Sequence, residues 1–228
     1  AGVWRSRQNE IFHFCAQGNV RAHNAAIEAW IDALYWDSIP CRLVSGHMLA
    51  AGQLDDLRLL VMPSCYHLTQ PEADQLDAWV RAGGVLVCEA HLAGYNGTTG
   101  RHSRTLPGAG LAQAWGFVET DSTAACHLRL DAGQPASVAD QSDDVRKARR
   151  QFGAGGGEHF PIRLASGAAV WGAHRYATLA GQDLEPLGSF DGREPCLGRV
   201  RVGQGTVFYC GTNLGQAASR DPAGLLAV

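Results

Sequence analysis

The chain has 228 residues, of which 46% are hydrophobic and 18% are charged, and its formal net charge is −3. This is the composition of a globular domain that can bury a sizeable core, and neither the charge nor any apolar run predicts binding to nucleic acid or insertion into a membrane. The seven cysteines include no C-x-x-C pair and no His/Cys spacing typical of a zinc site. We therefore expect free thiols in a reducing, cytoplasmic compartment, and neither a metal ion nor a cofactor.

Strand and helix patterns alternate over the first half of the chain. Short apolar runs predict strands at 2–4, 41–44, 57–62 and 85–87, and apolar residues at helical spacing predict a helix over 20–37. A second helix is predicted to begin after Thr69, because Thr69 and Glu72 match the S/T-x-x-E capping box, and to end at Gly83. This alternation predicts an α/β domain with a mostly parallel sheet and helices on both faces.

The second half of the chain has a different pattern. A short helix is predicted over 111–115 and a strand over 127–130, and a polar, glycine-rich stretch follows at 131–158. We interpret residues 131–170 as an irregular or mobile excursion within one domain that spans residues 1–228. Strands are predicted again at 177–180, 184–190, 196–202 and 206–210, and the last two have the pattern of a β-hairpin around Gly203 and Gly205.

Two stretches carry a resemblance to a known family. They are LDDLRLLVMPSCYHLTQPEADQLDAWVRAGGVLVCEAHLAG at 54–94 and GQGTVFYCGT at 203–212. They resemble the middle, or β-galactosidase trimerisation, domain of family 42 glycoside hydrolases. The resemblance implies a flavodoxin-like fold of the class I glutamine amidotransferase type and contacts that form a homo-oligomer, a trimer in that family. It also implies a catalytic barrel upstream in the same parent chain, which would hold both catalytic glutamates, so no catalytic residue is assigned to this chain.

Polar side chains follow two of the predicted strands, where an open α/β sheet usually binds its ligands. The candidate pocket or interface residues are Tyr66, His67, Glu89, His91, Tyr95, Asn96, Arg101, His102 and Arg104. We expect them to line one crevice and to face a partner subunit, the missing barrel or a carbohydrate. Glu89 and His91 allow two interpretations. They could form an acid–base or metal-supporting pair, or Glu89 could accept local hydrogen bonds and hold the loop, and we favour the second.

The predicted function is a non-catalytic domain that mediates oligomer formation and shapes the active site of a β-galactosidase-like glycoside hydrolase. One alternative is an amidotransferase-like hydrolase that uses Cys88 as its nucleophile. That enzyme class needs small residues around the cysteine, usually G-x-C-x-G, whereas Cys88 lies between Val87 and Glu89, so a buried core thiol is favoured. The other alternative is a carbohydrate-binding module without chemistry.

Overall fold

A computed structural model of the chain describes residues 1–124, 159–190 and 194–218. Its strands are β1 Gly2–Trp4, β2 Arg42–Val44, β3 Leu59–Met62, β4 His67–Leu68, β5 Val85–Cys88, β6 Tyr95–Asn96, β7 Phe117–Ala124, β8 His159–Leu164, β9 Ala169–Ala173, β10 Arg175–Gly181, β11 Glu185–Ser189, β12 Pro195–Val202 and β13 Gly205–Cys210. Its helices are α1 Arg7–Gln17, α2 Arg21–Trp36, α3 Gly46–Ala50, α4 Gln70–Arg81, α5 Leu111–Trp115 and α6 Leu214–Ala217. None of the helices in these ranges is long and apolar enough to cross a membrane.

A nine-stranded sheet in the order β2-β1-β3-β5-β13-β12-β11-β8-β9 organises the fold. The first five strands in this order are parallel neighbours, and the remaining strands pair antiparallel. Two small ladders, β10 with β7 and β4 with β6, lie outside this sheet. The predicted α/β class is confirmed, and the antiparallel part is larger than the predicted hairpin because β11, β8 and β9 extend it.

The core lies on both faces of the sheet, because successive residues of each strand point to opposite sides. Trp4 and Met62 belong to a cluster that includes Leu76 of α4 and Trp115 of α5. Their neighbours on β1 and β3 belong to a second cluster with residues of α2 and α6. The parallel strands are therefore apolar on both faces, which explains why their sequence shows continuous apolar runs rather than alternation.

All the elements predicted over 2–115 and over 177–210 are present, with ends that shift by one or two residues. The capping box is also present: Thr69 Oγ1 accepts from the Glu72 N–H at 3.4 Å, and the Thr69 N–H donates to the Glu72 carboxylate at 2.7 Å. The hairpin joins β12 to β13 in register from Leu197 opposite Cys210 to Val202 opposite Gly205.

Several described elements differ from the sequence expectation: α3, β4, β6, β7 and α6 were not predicted, and α1 and residues 159–170 are two larger differences. Helix α1 was not predicted, because its residues RQNEIFHFCAQ show no continuous apolar stripe. Residues 159–170, which the sequence interpretation assigned to the irregular excursion, form β8 and the beginning of β9. In β8 the side chains of Phe160 and Ile162 are buried and alternate with more exposed residues, as in an ordinary strand. The predicted strand at 127–130 and the glycine-rich stretch at 131–158 lie outside the described residues.

Candidate functional site

The loops that follow β3 and β5 lie side by side at the carboxyl edge of the sheet. The Ala93 N–H donates to the Cys65 carbonyl at 2.9 Å, and the Tyr95 N–H donates to the Tyr66 carbonyl at 2.8 Å. Strands β4 and β6 pair with His67 opposite Tyr95. The two stretches that the sequence assigns to one crevice are therefore in contact.

A group of aromatic and imidazole rings covers this edge. His67 stacks on Tyr95 with centroids 5.4 Å apart, and Tyr95 meets His102 edge-on at 5.0 Å. His91 contacts Tyr66 at 5.5 Å and His102 at 5.1 Å. Five of the predicted residues, Tyr66, His67, His91, Tyr95 and His102, thus form one connected group, which we call the ring cluster.

The remaining predicted residues have other positions. Asn96 accepts hydrogen bonds through Oδ1 from the Thr98 and Thr99 N–H groups at 3.0 and 2.8 Å, so it shapes the turn. Arg101 and Arg104 are exposed on the outer part of the same loop. Glu89 faces α2 and α6, and Asn213 links it to Tyr66 of the ring cluster.

Glu89 is completely buried and accepts hydrogen bonds through both carboxylate oxygens. Oε1 accepts from Trp30 Nε1 at 3.0 Å and from the Gly215 N–H at 2.7 Å, while Oε2 accepts from the Ser64 N–H at 2.9 Å. The Ser64 hydroxyl and Asn213 Nδ2 add contacts at 3.3 and 3.4 Å. Burial raises the pKa of Glu89, and these hydrogen bonds oppose that rise. This geometry agrees with the loop-holding interpretation of Glu89.

Several ring-cluster neighbours come from segments that the sequence reasoning did not connect to the site. Phe12 of α1 packs on Tyr95 with centroids 4.7 Å apart, and His13 of α1 lies 5.0 Å from Tyr66 and stacks on His23 at 4.4 Å. Arg175 lies over the Tyr66 ring at 5.6 Å. His174 lies 6.5 Å from the same ring. Six of the nine histidines therefore gather here; the abundance of histidine was the only sequence signal for them.

The buried imidazoles are neutral at physiological pH. Desolvation by burial lowers the pKa of His91 and of His23 to about 3, and it lowers the pKa of His13 and of His174 to about 4. The nearby Arg175 guanidinium lowers the pKa of His91, His13 and His174 further. A neutral imidazole can donate or accept a hydrogen bond, or bind a metal ion, but it adds no positive charge to the site.

The backbone around the ring cluster adopts conformations that side chains rarely allow. Ser64, His91, Ala93 and His174 all have positive φ, at 46°, 68°, 52° and 66°. Residues held in the left-handed region cost of order 1–3 kcal/mol each and gather preferentially at functional sites. Four of the seven non-glycine residues with positive φ in the described part of the chain therefore lie at this edge.

A buried carboxylate fixes the strained backbone of His91. Glu119 Oε1 accepts from the His91 N–H and from the Tyr209 hydroxyl. The Tyr209 oxygen in turn accepts from the Leu92 N–H at 3.2 Å. Burial raises the pKa of Glu119, and it raises the pKa of Tyr209 well above its usual value. Glu119, which the sequence reasoning did not single out, thus fixes the backbone of His91 rather than its imidazole.

Cys88 does not have the surroundings of a nucleophile. Its thiol is completely buried and lies 3.5 Å from the Phe208 carbonyl, which can accept its hydrogen bond. Burial raises the pKa of Cys88 well above its usual value, so the thiolate that attacks a substrate is not populated.

Comparison with known proteins places the fold. No family model matches the chain, and no curated protein matches its sequence. Among solved structures, the β-galactosidase of Bacillus circulans sp. alkalophilus superposes with a TM-score of 0.70 at 16% identity, covering 99% of this chain and 30% of that one. A catalytic mutant of a GH42 β-galactosidase from G. stearothermophilus gives a TM-score of 0.69 at 14% identity, with 99% and 29% covered.

A further similar structure is a protein described as ThuA-like from Bacteroides uniformis, with a TM-score of 0.58, 12% identity, and coverage of 99% of this chain and 87% of that chain. The same fold therefore occurs both as part of a long chain and as most of a short one. The chain spans about 30% of the length of the β-galactosidases that it matches. It shares the fold of a segment of GH42 β-galactosidases, as the resemblance in its sequence implied.

Proposed function

We propose that this chain is a non-catalytic domain of a β-galactosidase-like glycoside hydrolase, in which it mediates oligomer formation and shapes the rim of the active site. The observation that carries the proposal is the match of 99% of this chain to only 30% of a β-galactosidase chain. The two catalytic carboxylates of such an enzyme would lie on a barrel in the rest of the parent chain. The buried Cys65, Cys88 and Cys210 thiols fit a reducing, cytoplasmic location.

The strand order supports the finer fold assignment, a flavodoxin-like domain of the amidotransferase type. Counted among themselves in chain order, the five parallel strands β2, β1, β3, β5 and β13 have the order 2-1-3-4-5. This is the order of flavodoxin-like sheets. In such sheets the carboxyl edge is the ligand-binding edge, so the ring cluster is the surface that would face the barrel or its substrate.

An exposed apolar surface supports the assembly role. Tyr35 and Trp36, at the end of α2, are 71% and 79% exposed and contact each other edge-on at 5.9 Å. Ile39 and Leu43 are also exposed, and Leu43 lies on β2, the edge strand of the large sheet. Aromatic side chains are enriched in protein interfaces, and an edge strand offers unpaired backbone groups. We call these four residues the α2–β2 surface and propose that a second copy of the chain covers it.

Light scattering tests the proposal, on this chain and on the parent protein. We expect an oligomer, and we expect Trp36→Glu to reduce its mass, because a buried carboxylate would disfavour the interface. Phe14→Glu is the matched control, since Phe14 is an exposed aromatic residue, at 59%, on a different helix, α1. A strict monomer, both alone and within the parent, would refute the assembly role.

A carbohydrate-binding role is the second candidate. It is supported by exposed Arg101, whose carbonyl accepts from the Asn96 N–H at 2.9 Å, and by the Nε2 atom of His67, which is buried without a hydrogen-bond partner. Such groups suit the hydroxyls and apolar faces of a sugar. Calorimetric titration with galactosides distinguishes the two roles. Saturable binding that weakens in Arg101→Ala supports the carbohydrate-binding role, and the absence of any heat of binding excludes that role.

A further inference from the structure

Two histidine rings in the ring cluster point the same nitrogen atom at each other. The Nε2 atoms of His91 and His102 lie 3.1 Å apart, and the two rings are inclined by 44°. Either the two rings share one hydrogen bond, or both present a lone pair to a third atom. A neutral imidazole carries hydrogen on one ring nitrogen and a lone pair on the other. In the hydrogen-bonded pair one ring carries its hydrogen on Nε2, whereas in the second arrangement both rings carry it on Nδ1.

The separation suits a shared metal ion. With metal–nitrogen bonds of about 2.05 Å, two nitrogens 3.1 Å apart subtend an angle of about 100° at the metal. That angle lies between the octahedral and the tetrahedral value. Imidazole is a preferred ligand of nickel, copper and zinc.

Hydrogen bonds fix the backbone at both histidines, and ring contacts with Tyr66 and Tyr95 limit the side chains of His91 and His102. The left-handed backbone of His91 is fixed by the hydrogen bond from its N–H to Glu119. The His91 ring lies against Gly94, where an added Cβ would be only 2.2 Å from Cδ2, so the position accepts no larger residue without moving the ring. His102 is held by an antiparallel bridge to Tyr95, and the next residue donates its N–H to the Gly94 carbonyl at 2.7 Å. Such preorganisation is what a metal site requires.

We propose that His91 and His102 form a two-imidazole site for a divalent transition-metal ion. Within residues 1–124, 159–190 and 194–218 no group of three or more His, Cys, Asp or Glu side chains could hold a metal. The remaining coordination positions are therefore left to water or to an external ligand. The site is an open one rather than a closed structural site, and the proposal is independent of the assembly role.

Calorimetric titration of the full, untagged chain with Ni²⁺ tests the site. Nickel is the chosen probe because exposed Cys15 would compete more strongly for softer metals. We expect one equivalent to bind, and we expect His102→Ala to weaken binding at least about tenfold because one of two protein ligands is removed. His102 is exposed, so its replacement leaves the core intact. His47→Ala, which removes an exposed histidine on α3, is the matched control and should bind Ni²⁺ as the wild type does.

A second measurement distinguishes a metal site from a hydrogen-bonded ring pair. Long-range ¹⁵N NMR reports the protonation state of each ring nitrogen. When Zn²⁺ is added, we expect the Nε2 signals of His91 and His102 to shift together and both rings to carry their hydrogen on Nδ1. Equal Ni²⁺ affinity in the wild type and His102→Ala would overturn the proposal. So would Nε2 signals that keep one hydrogen between the rings in the presence of saturating Zn²⁺.

Discussion

Replacing Glu89 by glutamine tests whether this buried carboxylate holds the carboxyl edge of the sheet together. Glu89 offers two oxygens to five donors, and glutamine offers only one oxygen. Whichever way the new amide is oriented, its NH₂ group faces donors. In one orientation it meets Trp30 Nε1 and the Gly215 N–H, and in the other it meets the Ser64 and Asn213 groups.

The magnitude follows from the number of donors that lose their acceptor. At least two buried N–H groups are left unsatisfied, and each costs about 1–3 kcal/mol. Removing the buried carboxylate, whose pKa is raised by desolvation, offsets part of this loss. We therefore expect Glu89→Gln to lower the free energy of unfolding by about 2–4 kcal/mol.

Urea denaturation monitored by tryptophan fluorescence measures the effect. We expect a lower midpoint with an unchanged m-value, because the native contacts are weakened without a change in the surface exposed on unfolding. Glu185→Gln is the control: Glu185 is exposed and pairs with Arg199 at 2.7 Å on the surface, and the midpoint should not change measurably. A loss below about 1 kcal/mol in Glu89→Gln would show that the donors find other acceptors and would refute the reasoning.

Three other substitutions or modifications follow from the same structure. His23→Leu should stabilise the protein, since neither His23 ring nitrogen has a hydrogen-bond partner. Because the folded pKa of His23 is about 3 against an ordinary 6.5, the unfolded imidazole binds the proton first as the pH falls, so stability is lost below 6.5. His23→Leu should remove about 1.4 kcal/mol of that loss at pH 5.5, which urea melts at pH 7 and pH 5.5 would measure. Iodoacetamide at neutral pH should modify exposed Cys15 and leave buried Cys88 unmodified in mass spectra; rapid modification of Cys88 would restore the nucleophile hypothesis. Thr69→Ala should cost about 1 kcal/mol in thermal or urea unfolding, because it removes the cap of α4, and no change would mean that Glu72 alone satisfies the helix end.

The fold could be predicted where the sequence carries local signals. The capping box at Thr69 and the glycines around Gln204 mark their turns through local backbone chemistry, so α4 and the β12–β13 hairpin were predicted correctly. Helix α1 has no such signal, and tertiary contacts support it: Asn9 Oδ1 accepts from the Tyr66 and His67 N–H groups at 2.7 and 3.0 Å. A helix whose support comes from a loop more than 50 residues away is not encoded in its own apolar pattern.

The site could be predicted in part for the same reason. The rule that parallel strands direct their following loops to one edge brings Tyr66 and His91 together without any knowledge of side-chain contacts. The rule does not say which face a residue takes after its strand ends. His91 turns through a left-handed conformation, so it and Glu89 do not act as the pair that strand alternation would give. His13 and His174 reach the cluster from α1 and the end of β9, over sequence separations that no motif spans.

The two proposed surfaces lie at opposite ends of the parallel strands, and this separates their functions. The α2–β2 surface sits where α2 ends and β2 begins, at the amino edge of the sheet. The ring cluster sits where β3 and β5 end, at the carboxyl edge. A partner that covers Trp36 therefore leaves His102 accessible, and assembly need not be coupled to ligand binding. Trp36→Glu should change the oligomer mass without changing Ni²⁺ affinity, and His102→Ala should do the reverse. If either variant changed both properties, the two edges would be coupled and neither surface could be assigned its role separately.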